Sequence, residues 1–310
     1  MSSKTAAVKP DTIRPPKKAS TLHHSVHVHY LFTLPVLILY VTFFVVPMFM
    51  GVYYSFTNWS GLSLTYDFVG FDNYVELFQD KNFMQALTFN LKYLVCLVVG
   101  VLALSLCLAL LMNQKIPFRT GFRSIFFFPA VLAGVTVGLI WNELYLKVVP
   151  VFGQALGIEF LSKSMLGNPL TAFWAVLIVN LWQGCAQPTV LLIAGLQSVP
   201  KDVYEAATID GANAWQRFKS ITIPYLLPII SIIVITTAKG GLTIFDYIKA
   251  LTDGGPNKAT RAVGLLIYND AMSGGKFSYA VAESMILFIL VAIISVFTIK
   301  GNSGKEAGDA

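Results

Sequence analysis

Charge is what this chain lacks. Asp, Glu, Lys and Arg together make up 12% of its 310 residues, about half the share usual in a soluble domain. The few charges are clustered, so long stretches are nearly free of them, and a bilayer is the solvent that suits such a pattern. Cysteine is also scarce. Cys96, Cys107 and Cys185 are the only three; all lie in apolar runs, with no CxxC pair and no His–Cys spacing for a metal. Structural disulfides, a metal site and a cofactor are therefore not expected. Catalytic motifs are missing as well. There is no HExxH, no GxSxG and no GxxxxGK[ST] phosphate loop; Gly274-Gly275-Lys276-Phe277 lacks both the upstream glycine and the following Ser or Thr. The chain is not read as an enzyme, and if it draws on ATP, another chain must bind the nucleotide.

What is present is apolar length. Hydrophobic residues supply 55% of the chain. A hydrocarbon core of about 30 Å needs about 20 helical residues, and lipid offers the backbone no hydrogen-bond partner, so spans must be helices or closed barrels. The short alternating segments of a barrel are absent. Six stretches qualify as helices: Tyr30–Tyr53, Asn90–Met112, Ser124–Tyr145, Leu170–Leu196, Tyr225–Tyr247 and Tyr279–Ile299. The expectation is an all-α membrane protein of about six crossings, with a disordered tail over residues 1–29, a membrane domain over 30–300 and a second tail over 301–310. The first apolar run is too long for a signal-peptide core and has no small-residue cleavage site, so it reads as a retained helix.

Positive charge orients such a bundle. Thirteen Lys and Arg fall on the side that holds both termini, and seven on the other. Lys249, Lys258, Arg261 and Lys276 work against the bias; Asp67, Asp72, Glu76 and Asp80 in the first loop of the other side support it. Both termini are expected in the cytoplasm. Because the net charge of +6 sits beside the spans, it reads as an orientation signal and not as a nucleic-acid patch. No internal repeat is visible.

The segment from Val199 to Pro228 is the most informative. Pro200 suits the start of a helix, the residues to Asp210 tolerate one, and Gly211 supplies the left-handed residue that ends it. A second short helix, Ala212 to Ser220, then leads towards the membrane, with Pro224 and Pro228 shaping the start of the fifth span. The result is a convex helix–turn–helix knob offering Glu205 beside Ala206 and Ala207, on the side expected to be cytoplasmic. The plain alternative is an ordinary amphipathic linker.

Glu205-Ala206-Ala207, Asp210-Gly211-Ala212, Phe218, Ile221 and Ile223-Pro224 resemble the EAA loop of ABC importer permeases. Other segments resemble the sugar branch of that family, the maltose and glycerol-phosphate type: Ser55-Phe56-Thr57-Asn58-Trp59, Phe68-Val69-Gly70-Phe71-Asp72-Asn73-Tyr74, Arg123 to Pro129, Gly138 to Trp141 and Gly254-Gly255-Pro256. The likeness runs from about Phe32 to Thr298. It implies a type I importer permease fold in a bacterial inner membrane. Glu205, Ala206, Ala207, Asp210 and Gly211 would dock into a cleft of a cytoplasmic ATPase. It further implies a second, different permease, two ATPase copies and an extracytoplasmic solute-binding protein. The cargo would be a carbohydrate of oligosaccharide size; a phosphorylated polyol such as glycerol phosphate stays open. The rival from another class is an ion-coupled carrier, which would need carboxylates near the midplane; such acids are scarce apart from Glu283.

Two places offer polar side chains to a cargo. Asn180, Gln183, Gly184 and Gln187 fall at i, i+3, i+4 and i+7, one face of a helix, and amides facing lipid are costly. They either glue helices together or hydrogen-bond sugar hydroxyls; the family resemblance favours the second. The fifth span carries Lys239-Gly240-Gly241, Thr243, Phe245 and Asp246. Paired glycines loosen a helix, and broken helices often line pathways, so Gly241 joins the candidates. Lys239 either pairs with Glu283 or snorkels. Asn90 and Lys92 read as interfacial, and Phe126, Phe127 and Phe128 as packing residues, with stacking on a sugar ring as the alternative.

Overall fold

A computed structural model describes residues 26–114 and 118–306. Most of the expected N-terminal tail, Lys115 and the last four residues lie outside the described residues. Residues 26–29 already belong to the first helix, and the last helix runs on to Glu306.

Twelve helices order the described chain, with one isolated bridge, Thr57–Phe68, and no strand among the described residues. The helix α1 comprises Val26–Tyr40, a π turn at Val41–Val45 and Val46–Tyr54. Then follow α2 (Asp72–Gln79), α3 (Lys81–Asn113), α4 (Arg119–Phe127), α5 (Gly134–Ala155), α6 (Pro169–Gly184), α7 (Ala186–Ser198), α8 (Lys201–Ile209), α9 (Ala214–Leu242), α10 (Asp246–Leu251), α11 (Val263–Met272) and α12 (Phe277–Glu306). Five of these are long and apolar enough to cross a membrane; α6 and α7, bent by 43° at Cys185, make a sixth if taken as one broken span.

The third crossing differs from the expected Ser124–Tyr145. Pro129 cannot donate a backbone hydrogen bond. After α4 the chain tightens into a 3-10 turn at Phe128–Val131, is extended at Leu132 and Ala133, and restarts at Gly134. The crossing is therefore Gly134–Ala155, and Lys147, expected in a loop, lies inside it and pairs with Glu143 one turn away. The fifth crossing starts earlier than expected and ends earlier: α9 is continuous from Ala214, through a π turn at Phe218–Thr222, and stops at Leu242 just after Gly240-Gly241.

The chain forms two compact units, up to Met50 and from Gly51 on. In the first, α1 carries Tyr40 stacked on Phe44, with ring centres 5.5 Å apart. In the second, α3 is the hub, touching α6, α7, α9 and α11. Its buried Tyr93, Leu97 and Val101 meet Val176, Val179, Leu192, Leu226 and Ile233 in one core. Where α7 meets α9, a Cβ on Gly195 would lie 2.3 Å from Ile229 Cδ1 and 2.7 Å from Leu226 Cδ2. A side chain at that position would have to displace the ends of both neighbours, and small residues at such contacts are how membrane helices pack when lipid removes the hydrophobic drive. Asn90 is fully buried and not interfacial as its position suggested. Its Nδ2 donates to the Leu242 carbonyl, and its Oδ1 accepts from Val263 N at 3.0 Å. One side chain thus binds α3 to the end of α9 and the start of α11.

Several residues that carry the family resemblance are structural. Asn73 Nδ2 donates to the carbonyls of Ser55 and Thr57, both at 2.8 Å, Tyr74 donates to Ser55 Oγ, and Thr57 Oγ1 meets Ser278 Oγ at 2.8 Å. They clasp α2, the segment after α1 and the start of α12.

Candidate functional site

A cavity of about 440 Å³ lies between α3, α6, α7, α9 and the segment that follows α9. The volume falls within the range of ligand pockets. Leu97 and Val101 of α3 and Ile232 of α9 supply apolar wall. Asn180 and Gly184 of α6, Gln187, Pro188 and Leu191 of α7, Thr236, Thr237 and Gly240 of α9, and Thr243 to Tyr247 complete the lining. The break at Cys185 places Asn180 and Gln187 on two helices, yet both still line the cavity.

The four candidates on that stretch divide by their hydrogen bonds. Asn180 Nδ2 donates to Tyr93 Oη at 2.9 Å, and its carbonyl oxygen lies beside Gly184. Gln187 is exposed and makes no hydrogen bond among the described residues. Gln183 is used on both ends: Nε2 donates to the Leu132 carbonyl at 2.7 Å, and Oε1 accepts from Tyr247 Oη at 2.6 Å. It ties α6 to the break before α5 and to α10, and it is absent from the cavity lining. Gly241 is buried, with a virtual Cβ 3.2 Å from Leu94 Cα; it lets α9 close on α3, while its neighbour Gly240 lines the cavity.

Sequence reasoning named Thr243, Phe245 and Asp246 only as part of the fifth span, and it missed Tyr247. The structure gathers all four at the cavity. The available signal was the Gly240-Gly241 pair, after which the chain leaves the helix. Thr236 and Thr243 donate to the carbonyls of Ile232 and Lys239, at 2.8 and 2.9 Å. That leaves their oxygen lone pairs as acceptors. Phe245 and Tyr247 add ring faces. Hydroxyls, amides, aromatic rings and the Asp246 carboxylate around a cavity of this size form a surface suited to hydrogen-bonding and stacking against a ligand; no metal-binding cluster occurs among the described residues. Lys239 is exposed, and Glu283 is fully buried with neither oxygen hydrogen-bonded, so the two are not partners.

The second site is the knob at α8. Pro200 precedes the helix as its cap, Asp210 ends it, and Gly211 follows at φ +80°, as expected. Asn213 and Gln216 then form a reciprocal capping box that starts α9, worth about 1 kcal/mol. Tyr204 Oη meets Thr222 Oγ1 at 2.8 Å, and Arg217 Nη1 donates to Thr208 Oγ1 at 2.6 Å. These bonds strap α8 to the first turns of α9. Glu205 and Ala206 are exposed and Ala207 half-buried. Ile209 is 86% and Trp215 68% exposed. The Glu205 carboxylate has no partner among the described residues.

Comparison with known proteins places these features in context. The profile of the family described as "binding-protein-dependent transport system inner membrane component" matches residues 30–302. The multiple sugar-binding transport system permease protein MsmF of Streptococcus mutans is 50% identical over 85% of this chain and 91% of its own. The trehalose/maltose transport system permease protein MalF of Thermococcus litoralis is 33% identical over 87% and 92%. Among solved structures, a chain of a bacterial ABC transporter involved in import of the acidic polysaccharide alginate aligns with TM-score 0.77 at 22% identity, over 92% of this chain and 96% of that one; this likeness concerns the fold.

Proposed function

The chain belongs to the family of binding-protein-dependent transport system inner membrane components, and on that premise we propose that it forms half of the translocation pathway of an ATP-driven importer for an oligosaccharide. A second permease supplies the other half. Two copies of a cytoplasmic ATPase sit below, and a solute-binding protein delivers cargo from outside. The sugar transport of the relatives supports the cargo class, and the mixed amide, hydroxyl and aromatic lining suits it.

The single observation that carries the mechanism is α9. Its first turns are strapped to the knob, and its last turns carry Thr236, Thr237 and Gly240 into the cavity. At 1.5 Å per residue its 29 residues span about 43 Å. A displacement of α8 is therefore delivered to the cavity wall through one rod. In this reading the knob faces the cytoplasm, Glu205 meets the ATPase cleft, and Ile209 and Trp215 give the partner apolar surface to bury. Nucleotide binding favours one of two rigid-body arrangements and so alternates access. The charge bias of the loops supports the same orientation.

Buried Glu283 is the one feature an ion-coupled carrier would use. Uptake into proteoliposomes holding the complete complex separates the readings. Sugar uptake should require ATP and the binding protein and persist when ionophores collapse all ion gradients. ATP-independent uptake that ionophores abolish would overturn the proposal.

A further inference from the structure

We propose that Asp246 makes this half of the pathway an electrostatic filter that admits uncharged glycans and disfavours anionic ones such as uronates and sugar phosphates. The inference rests on the reading of the cavity as pathway and narrows its cargo. Among the residues that line the cavity there is no Lys, Arg or His, and Asp246 is the one ionisable carboxylate. It is exposed, and it makes neither an ion pair nor a carboxylate hydrogen bond among the described residues. The cations nearest in sequence do not neutralise it there: Lys249 holds Asp253 at 2.7 Å, and Lys239 is outside the lining. Gly134 makes room for the carboxylate, since a Cβ at that position would stand 3.2 Å from Oδ2.

An unpaired charge on the wall of a concave site acts over several ångströms, because the concave surface focuses its field lines. A neutral sugar meets Asp246 as a hydrogen-bond acceptor for its hydroxyls, which a carboxylate does well. A uronate or phosphate meets it as a like charge.

The test reads the local potential directly and needs no sugar. In the assembled complex Cys96, Cys107 and Cys185, none of which lines the cavity, are replaced by Ala, and Thr236→Cys places one thiol in the wall. Its modification rates by cationic trimethylammonioethyl and anionic sulfonatoethyl methanethiosulfonate are each divided by the rates on a free thiol. The filter predicts a cation preference of roughly fivefold or more, reduced at least threefold by Asp246→Asn and kept by Asp246→Glu. Equal normalised rates, or a preference that Asp246→Asn leaves unchanged, overturn the filter while the cavity remains a pathway. No modification by either reagent, added from either side of the membrane with and without ATP, overturns both, because the cavity is then closed to water in both arrangements.

Discussion

Asn180 and Gln183 lie one helical turn apart and carry the same amide, yet they occupy different positions in the structure's economy of hydrogen bonds. Gln183 is committed at both ends, to Leu132 and Tyr247. Asn180 keeps its carbonyl oxygen at the cavity, and Gln187 makes no hydrogen bond among the described residues. Two substitutions should therefore separate. Gln183→Leu leaves a half-buried carbonyl and a half-buried tyrosine hydroxyl without that partner, at about 1 kcal/mol each, and should lower the thermal midpoint of the purified complex by several degrees. Gln187→Leu should leave that midpoint within about a degree and cut sugar uptake several-fold. Equal midpoints for the two would contradict this division. The sequence spacing revealed that these amides share a neighbourhood. It did not reveal which were spent, because Tyr247 is 64 residues from Gln183 and Tyr93 is 87 from Asn180. Asn90 reads as interfacial for the same reason: both of its partners lie more than 150 residues away.

At the scale of elements, local chemistry was legible where it decided the outcome locally. Pro200 and Gly211 delimit α8 from within a few residues, whereas the Asn213–Gln216 box that starts α9 at Ala214 escapes the sequence reading, which expects a separate second helix from Ala212 to Ser220. The third crossing was misplaced because Phe126-Phe127-Phe128 is as apolar as a span, and hydropathy does not register the missing donor of Pro129 or the extended pair that follows it. Helix contacts were not legible. Gly195 gave no sign of sitting beneath Leu226 and Ile229. Gly195→Leu should force α7 and α9 apart and lower the thermal midpoint by several degrees, while Gly195→Ala, blocked only by side-chain ends, should cost less. A Leu variant as stable as wild type would show that these helices do not depend on close approach.

The whole molecule combines an interior polar cavity with an exposed knob, joined by one continuous helix. The family profile covers residues 30 to 302, a range that includes the cavity, the helix and the knob. In the proposed mechanism α8 moves and the cavity receives the motion, because α8 is strapped to α9 by two side-chain hydrogen bonds and α9 packs along α3, α7 and α12.

ATP hydrolysis by the assembled complex tests that linkage most directly. Wild-type complex should hydrolyse ATP faster when sugar-loaded binding protein is added. With Glu205→Lys in the knob, stimulation should fall at least tenfold, while the subunits still co-purify and the isolated permease keeps its thermal midpoint, because Glu205 is exposed and unpartnered within this chain. Full stimulation in the Glu205→Lys complex would contradict the account.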